Sequence, residues 1–141
     1  MTFNVNCSSE CAAPILSFHG TGDKTISYTG GLYRNDTLID IDVYRKEWAI
    51  RNGCQPNSTI SYLSNETDPL QTIEISTWDQ NCREGGVVIG YRINEGEHAW
   101  PRTTLPSKCN GIVSTGDCTT TVFNATQTVI IPFFNDYALT N

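Results

Sequence analysis

Two short apolar runs, each closed by a glycine-containing turn, constrain the fold of this chain more than any other feature. Residues 14–19 end at Gly20 and Gly22, a pattern that indicates a buried strand running into a tight turn. Residues 87–93 are apolar nearly throughout and lead into a second glycine turn, which is typical of an inner strand covered on both sides. These runs predict a layered structure built around a sheet.

A helix is predicted over residues 38–52, where apolar side chains recur at helical spacing and charged residues, Arg45 among them, fall between these positions. Asp36 and Thr37 form a start signal, and Asn52-Gly53 form a stop signal. Residues 73–78 alternate apolar and polar side chains, which predicts a strand with one solvated face, an edge strand.

Residues 125–139 carry apolar side chains at a helix-like spacing that β-branched residues and Pro132 disturb, and they predict a terminal helix. The alternation of strand and helix indicates an α/β fold, with a parallel sheet. No linker or repeat divides the 141 residues, so we expect one unit.

Six cysteines form an even set that suits three disulfides and therefore an oxidising compartment. N-x-S/T sequons exceed the number expected from composition, and they give these candidate glycosylation sites: Asn6, Asn35, Asn57, Asn65 and Asn124. Both features are typical of a secreted, extracellular glycoprotein. Because the opening residues lack the basic and apolar regions of a signal peptide, we expect the chain to be a fragment whose beginning is missing.

The net charge of −6 provides no positive field, so neither a nucleic acid nor an anionic membrane surface is an expected partner. Every apolar run is far shorter than the roughly 18 residues of a membrane-spanning helix. Zinc sites need closer Cys or His pairs than Cys7/Cys11 and Cys109/Cys118 provide, so no metal is expected.

Asp23 and His98 each lie in a turn directly after a predicted buried strand, where open α/β sheets usually place their active residues. Simpler explanations exist for both: an Asp after glycines commonly caps its own turn, and a His beside Trp and Pro is commonly packed. For His19, which ends an apolar strand, a structural hydrogen bond is expected. Trp48 and Trp78 are expected as core aromatics.

Taken together, several motifs resemble the carboxyl-terminal half of secreted fungal feruloyl esterases. They are residues 14–23 with the His-Gly-Thr-Gly-Asp turn, Tyr28 with Gly30-Gly31, residues 48–54, residues 78–82, and the Glu-His-Ala-Trp-Pro loop at 97–101. These esterases share an α/β-hydrolase fold with acetylxylan esterases and polyhydroxybutyrate depolymerases. The resemblance implies that residues 1–141 are one partial α/β-hydrolase domain: the C-terminal portion of the sheet with flanking helices, disulfide-bonded.

By that resemblance Asp23 is the acid of a catalytic triad and His98 is its general base. Neutral His98 would take the proton of a serine hydroxyl while Asp23 holds the other ring nitrogen. The implied substrates are esters of hydroxycinnamic acids on plant cell-wall xylan, with no cofactor. The resemblance also implies a disulfide between Cys54 and Cys82.

Two departures from the family pattern stand out. Glu97 occupies a position where the family usually has Gly, which places a second carboxylate beside the base. No G-x-S-x-G nucleophile motif occurs in the sequence. Ser114 lies between Gly111 and Gly116, but the spacing of these glycines does not fit the motif. We expect the nucleophile to lie in a half preceding Met1, and the chain alone to lack esterase activity.

The other cysteines leave alternatives open. Cys109 and Cys118 are close enough in sequence for a local bridge, and Cys7 and Cys11 could join each other or partners in the missing half. The function also has rivals: a polyhydroxybutyrate depolymerase or an acetylxylan esterase, or, in another class, a noncatalytic secreted remnant or binding protein that kept part of the scaffold.

Overall fold

A computed structural model describes residues 12–63, 72–103 and 123–137, and a four-stranded mixed sheet lies at its centre. The strands in chain order are β1 (Ile15–Gly20), β2 (Gly31–Tyr33), β3 (Asp36–Leu38), β4 (Thr59–Leu63), β5 (Ile73–Trp78) and β6 (Val88–Ile93). The main sheet has the order β1-β6-β5-β4, and β2 pairs with β3 in a separate hairpin. The protein is therefore a mixed α/β structure.

Both predicted strands are present, and β1 runs parallel to β6. Of the two, β6 is an inner strand as predicted, whereas β1 pairs only with β6 within the described residues. The expectation of a parallel sheet is wrong beyond this pair, because β5 is antiparallel to β6 and β4 is antiparallel to β5. The prediction that residues 73–78 form an edge strand is also wrong. The outer position belongs to β4, a strand that the sequence analysis did not predict and whose five side chains are all exposed.

The predicted helix is present as α1 (Ile41–Arg51), but it begins later than the sequence indicated. Asp40 caps it, because its side chain accepts hydrogen bonds from the N–H groups of Asp42 and Val43 at 2.8 and 3.1 Å. Asp36, the predicted start, lies in β3 and pairs with Tyr33 of β2. The predicted end is confirmed, with Asn52 as the C-cap and Gly53 at a φ of 74°.

Helices cover both faces of the sheet. On one face α1 packs Ala49 against Trp78 and Val88. On the other, Phe18 and Tyr91 pack with Phe123 in a second cluster that includes the start of the terminal helix. That helix consists of a π-helical turn, Thr126–Ile130, which continues into α2 (Ile131–Asp136), and Pro132 lies near the junction of the two. The predicted terminal helix is thus confirmed over most of its length.

Cys54 and Cys82 form a disulfide, as the resemblance implied. Cys7, Cys11, Cys109 and Cys118 lie outside the described residues, as do Asn6 and Asn65. Of the other sequon asparagines, Asn35 and Asn57 are exposed, whereas Asn124 is half-buried and its side chain accepts a hydrogen bond from the N–H of Gln127. Within the described ranges, no helix has the length and apolar character that a bilayer crossing requires.

Candidate active site

Asp23 and His98 meet at one edge of the sheet. Asp23 follows the end of β1 and His98 follows the end of β6, and because these strands are parallel neighbours their carboxyl ends lie at the same edge. The distance between Asp23 Oδ2 and His98 Nδ1 is 2.8 Å, a hydrogen bond between residues 75 positions apart. The two titratable residues singled out in the sequence are therefore in direct contact.

The two loops that carry these residues are bonded to each other. The N–H groups of Thr21 and Gly22 donate to the carbonyls of Ile93 and Gly96, each at 2.9 Å. A Cβ atom at Gly20 would overlap the backbone of Gly96, so this close approach requires glycine at position 20. Glycine serves here to let two loops touch.

The Asp23 carboxylate is nearly buried, with 5% of the side chain exposed. Its Oδ1 accepts hydrogen bonds from the N–H groups of Thr25 and Ile26, both at 2.8 Å, while Oδ2 faces His98. Burial acts to raise the pKa of Asp23, but the hydrogen bonds from Ile26, His98 and Thr25 outweigh it and hold the pKa below its ordinary value. The group is thus an ionised carboxylate beside an imidazole.

His98 presents a more accessible side chain, 55% of which is exposed. In a neutral ring, donation from Nδ1 to Asp23 leaves the lone pair on Nε2, so the imidazole can accept a proton there. The ring lines an open pocket of about 360 Å³, together with Phe18, Trp100 and Glu97. This arrangement combines a carboxylate, an imidazole and an open cleft, which is suited to general acid–base chemistry.

Glu97 fits this loop without a glycine-like backbone. The residue with a left-handed conformation here is Glu95, at a φ of 53°, and Glu97 is not among the residues with positive φ. The departure from the family pattern at this position therefore carries no backbone strain. It adds a second carboxylate to the pocket wall.

His19 has the structural role expected for it. Its Nε2 lies 2.8 Å from the carbonyl oxygen of Ile26, and a protonated Nε2 donates to that oxygen. The same nitrogen is 3.5 Å from Asp23 Oδ2, a longer contact than that made by His98. His19 thus fixes the turn that holds the carboxylate.

Arg45 and Tyr28 are connected to this region in a way that the sequence did not indicate. Arg45, one of the charged residues of the predicted helix, is fully buried against the sheet. Its guanidinium contacts the hydroxyl group of Tyr28. Two sequence signals bear on this burial. Arg45 lies four residues after Ile41 and four before Ala49, on the apolar face of the predicted helix. Gly90 interrupts an apolar strand, and an isolated strand glycine marks a close approach by another group.

Neither a nucleophile nor a metal cluster accompanies the pair in the described part of the chain. The described residues that line the pocket include no Ser, Thr or Cys. Nor do residues 12–63, 72–103 and 123–137 contain a group of three His, Cys, Asp or Glu arranged to hold a metal ion. Ser114, in the glycine segment considered above, lies outside these ranges.

Comparison with known proteins identifies one informative relative. The chain is 32% identical over 99 residues to a protein named Feruloyl esterase B from Piromyces equi. The match covers 66% of this chain and 17% of that protein, so the chain spans a small part of its relative. No protein-family model and no solved structure matches the chain. The similarity supports a distant feruloyl esterase-like relationship.

Proposed function

We propose that this chain supplies the acid and the base of a serine carboxylic-ester hydrolase of feruloyl esterase type. The observation that carries the proposal is the 2.8 Å hydrogen bond between Asp23 and His98 at the edge of the sheet. The similarity to Feruloyl esterase B supports the same reaction class. In this proposal the chain is part of an α/β-hydrolase domain, and the nucleophilic serine and oxyanion donors come from polypeptide outside residues 1–141.

The proposed mechanism uses the two groups in sequence. His98 Nε2 takes the proton of the serine hydroxyl as its oxygen attacks the ester carbonyl, and ionised Asp23 stabilises the resulting imidazolium through Nδ1. The imidazolium then gives this proton to the alkoxide oxygen as its C–O bond breaks, so the alcohol departs and an acyl-enzyme remains. Water, activated by the same imidazole, hydrolyses that intermediate and releases the carboxylic acid.

The proposed substrates are hydroxycinnamoyl esters on plant cell-wall xylan, on which the protein acts outside the cell. The disulfide between Cys54 and Cys82 supports an oxidising, extracellular setting. Phe18 and Trp100 on the pocket wall give the cleft an aromatic surface beside His98, which favours an ester with a planar apolar group.

Hydrolysis of methyl ferulate tests the proposal in two forms of the protein. The 141-residue chain alone is expected to give no hydrolysis above the buffer rate. A longer polypeptide, in which a segment with a G-x-S-x-G motif accompanies this chain, is expected to hydrolyse the ester. His98→Ala in that polypeptide should lower kcat/KM by at least about 10³-fold.

Lys24→Ala is the matched control, because Lys24 is exposed in the same loop as Asp23. It should leave kcat/KM within about twofold of the parent, as surface substitutions usually do. Hydrolysis that is unaffected by His98→Ala would contradict the role of the base. Hydrolysis by the 141-residue chain that His98→Ala abolishes would contradict an external nucleophile.

A further inference from the structure

A buried cation packs against the two paired strands that lead to the candidate site. Arg45 of α1 has no exposed surface. Its Nε donates to Ser17 Oγ of β1 at 3.3 Å, and its Nη2 donates to the carbonyl oxygen of Tyr91 in β6 at 2.9 Å. A Cβ atom at Gly90 would lie 2.5 Å from Arg45 Nε, so the glycine leaves the space that the guanidinium fills.

The same guanidinium holds the far end of the Asp23 loop through Tyr28. Arg45 Nη1 donates to the Tyr28 hydroxyl oxygen at 2.9 Å, and that hydroxyl donates to Asp42 Oδ1 at 2.5 Å. The Tyr28 carbonyl accepts from the N–H of Ile41 at 3.0 Å. Tyr28 is therefore fixed to α1 by both its side chain and its backbone.

Contacts continue from Tyr28 to the Asp23 turn. The Tyr28 ring meets the His19 ring edge-on, with 5.7 Å between centroids. His19 in turn bonds to the carbonyl of Ile26, whose N–H donates to Asp23 Oδ1. The carboxylate is thus held within a turn that is anchored at its start by β1 and near its end by Tyr28.

We propose that Arg45 and Tyr28 are positioning residues that hold the Asp23 carboxylate against Nδ1 of His98. A buried cation is costly to the fold unless it is fully hydrogen-bonded, and an apolar side chain would often stabilise the core as well or better. Arginine offers instead a rigid planar fork that can bond to several elements at once. Here that fork joins β1, β6 and the Asp23 loop, the three segments whose relative placement sets the Asp23–His98 distance.

The test measures this hydrogen bond directly in the full 141-residue chain. The proton shared by His98 Nδ1 and Asp23 Oδ2 is followed by NMR, and its rate of exchange with water is compared between variants. Tyr28→Phe removes one hydroxyl but keeps the ring beside His19, and it should accelerate the exchange about fivefold, the effect of one lost hydrogen bond. Arg45→Met should accelerate it further.

Two controls separate positioning from general stability, and all exchange rates are taken well below each melting transition. Tyr44→Phe removes a hydroxyl from α1, the helix that carries Arg45, and it should leave the exchange rate within about twofold of the parent. Asn52→Ala removes buried hydrogen bonds to the carbonyls of Ala13 and Gly86, which precede β1 and β6. It should lower the melting temperature and leave the exchange rate within the same range.

An unchanged exchange rate in folded Tyr28→Phe would overturn the proposal, and so would an equal acceleration in Asn52→Ala. If Arg45→Met does not fold, Tyr28→Phe still decides. The inference rests on the proposed function only for the role given to the Asp23–His98 pair. The exchange measurement requires no ester hydrolysis. A failure of this inference can therefore be distinguished from a failure of the proposed function.

Discussion

At the scale of single residues, the Asp23 carboxylate concentrates the chemistry of this chain. Burial alone would favour its neutral form, since a charge loses solvation in the protein interior. The N–H groups of Ile26 and Thr25 and the ring of His98 favour the charged form more strongly, so the pKa lies below 3.8. A group whose pKa is lower in the folded than in the unfolded chain stabilises the fold only while it is ionised.

This coupling predicts how stability changes with pH. The contribution of Asp23 is complete above its ordinary pKa of 3.8 and is lost as the pH falls through the lower pKa of the folded chain. Asp23→Asn should therefore lower the free energy of unfolding at about pH 6, and by a smaller amount at about pH 3, which is below the ordinary pKa of 3.8 and where the unfolded chain already gains a proton. Urea unfolding of both chains at the two pH values measures this difference. An equal loss of stability at both would contradict it.

At the scale of elements, the start of α1 shows how a local signal can be overridden. Asp36 and Asp40 are both acceptable N-caps by residue type, but the hairpin pairs Asp36 with Tyr33 and leaves Asp40 to cap the helix. Asp40→Ala should lower the free energy of unfolding by about 1 kcal/mol. Asp36→Ala, the matched control on the exposed β3 strand, should change it by less than about 0.5 kcal/mol. Urea denaturation checks both values, and the reverse order would place the helix start at the earlier residue.

The elements recovered from the sequence are those whose signals are local. Apolar runs ending in glycine marked β1 and β6, and Asn52-Gly53 marked the end of α1. Their parallel pairing also brought Asp23 and His98 together, which made the candidate pair predictable. The burial of Arg45 was missed, because the space that its guanidinium fills depends on Gly90, which is distant in sequence. The strand β4 was also missed, although Ile60 and Tyr62 alternate with polar residues as in a strand, and its side chains are all exposed.

At the scale of the whole molecule, the sheet has an unpaired edge at β1 within the described residues. Within the described residues β1 pairs only with β6, so the other side of β1 has no neighbouring strand. A groove of about 530 Å³ runs along this side, lined by Leu16 and Phe18 of β1, by Tyr44 of α1 and by Phe134 of α2. An unprotected strand edge beside apolar side chains favours pairing with another chain.

We therefore expect the isolated 141-residue chain to self-associate through this groove. Phe134 is 63% exposed there, and Phe134→Asp would place a charge that loses solvation if the groove is covered. Sedimentation velocity over a range of concentrations should show association of the parent and a shift towards monomer in Phe134→Asp. Leu32→Asp is the matched control, because Leu32 is 82% exposed on the separate hairpin, and it should associate as the parent does. A monomeric parent at all concentrations, or an equal shift in Leu32→Asp, would show that the β1 edge does not drive association.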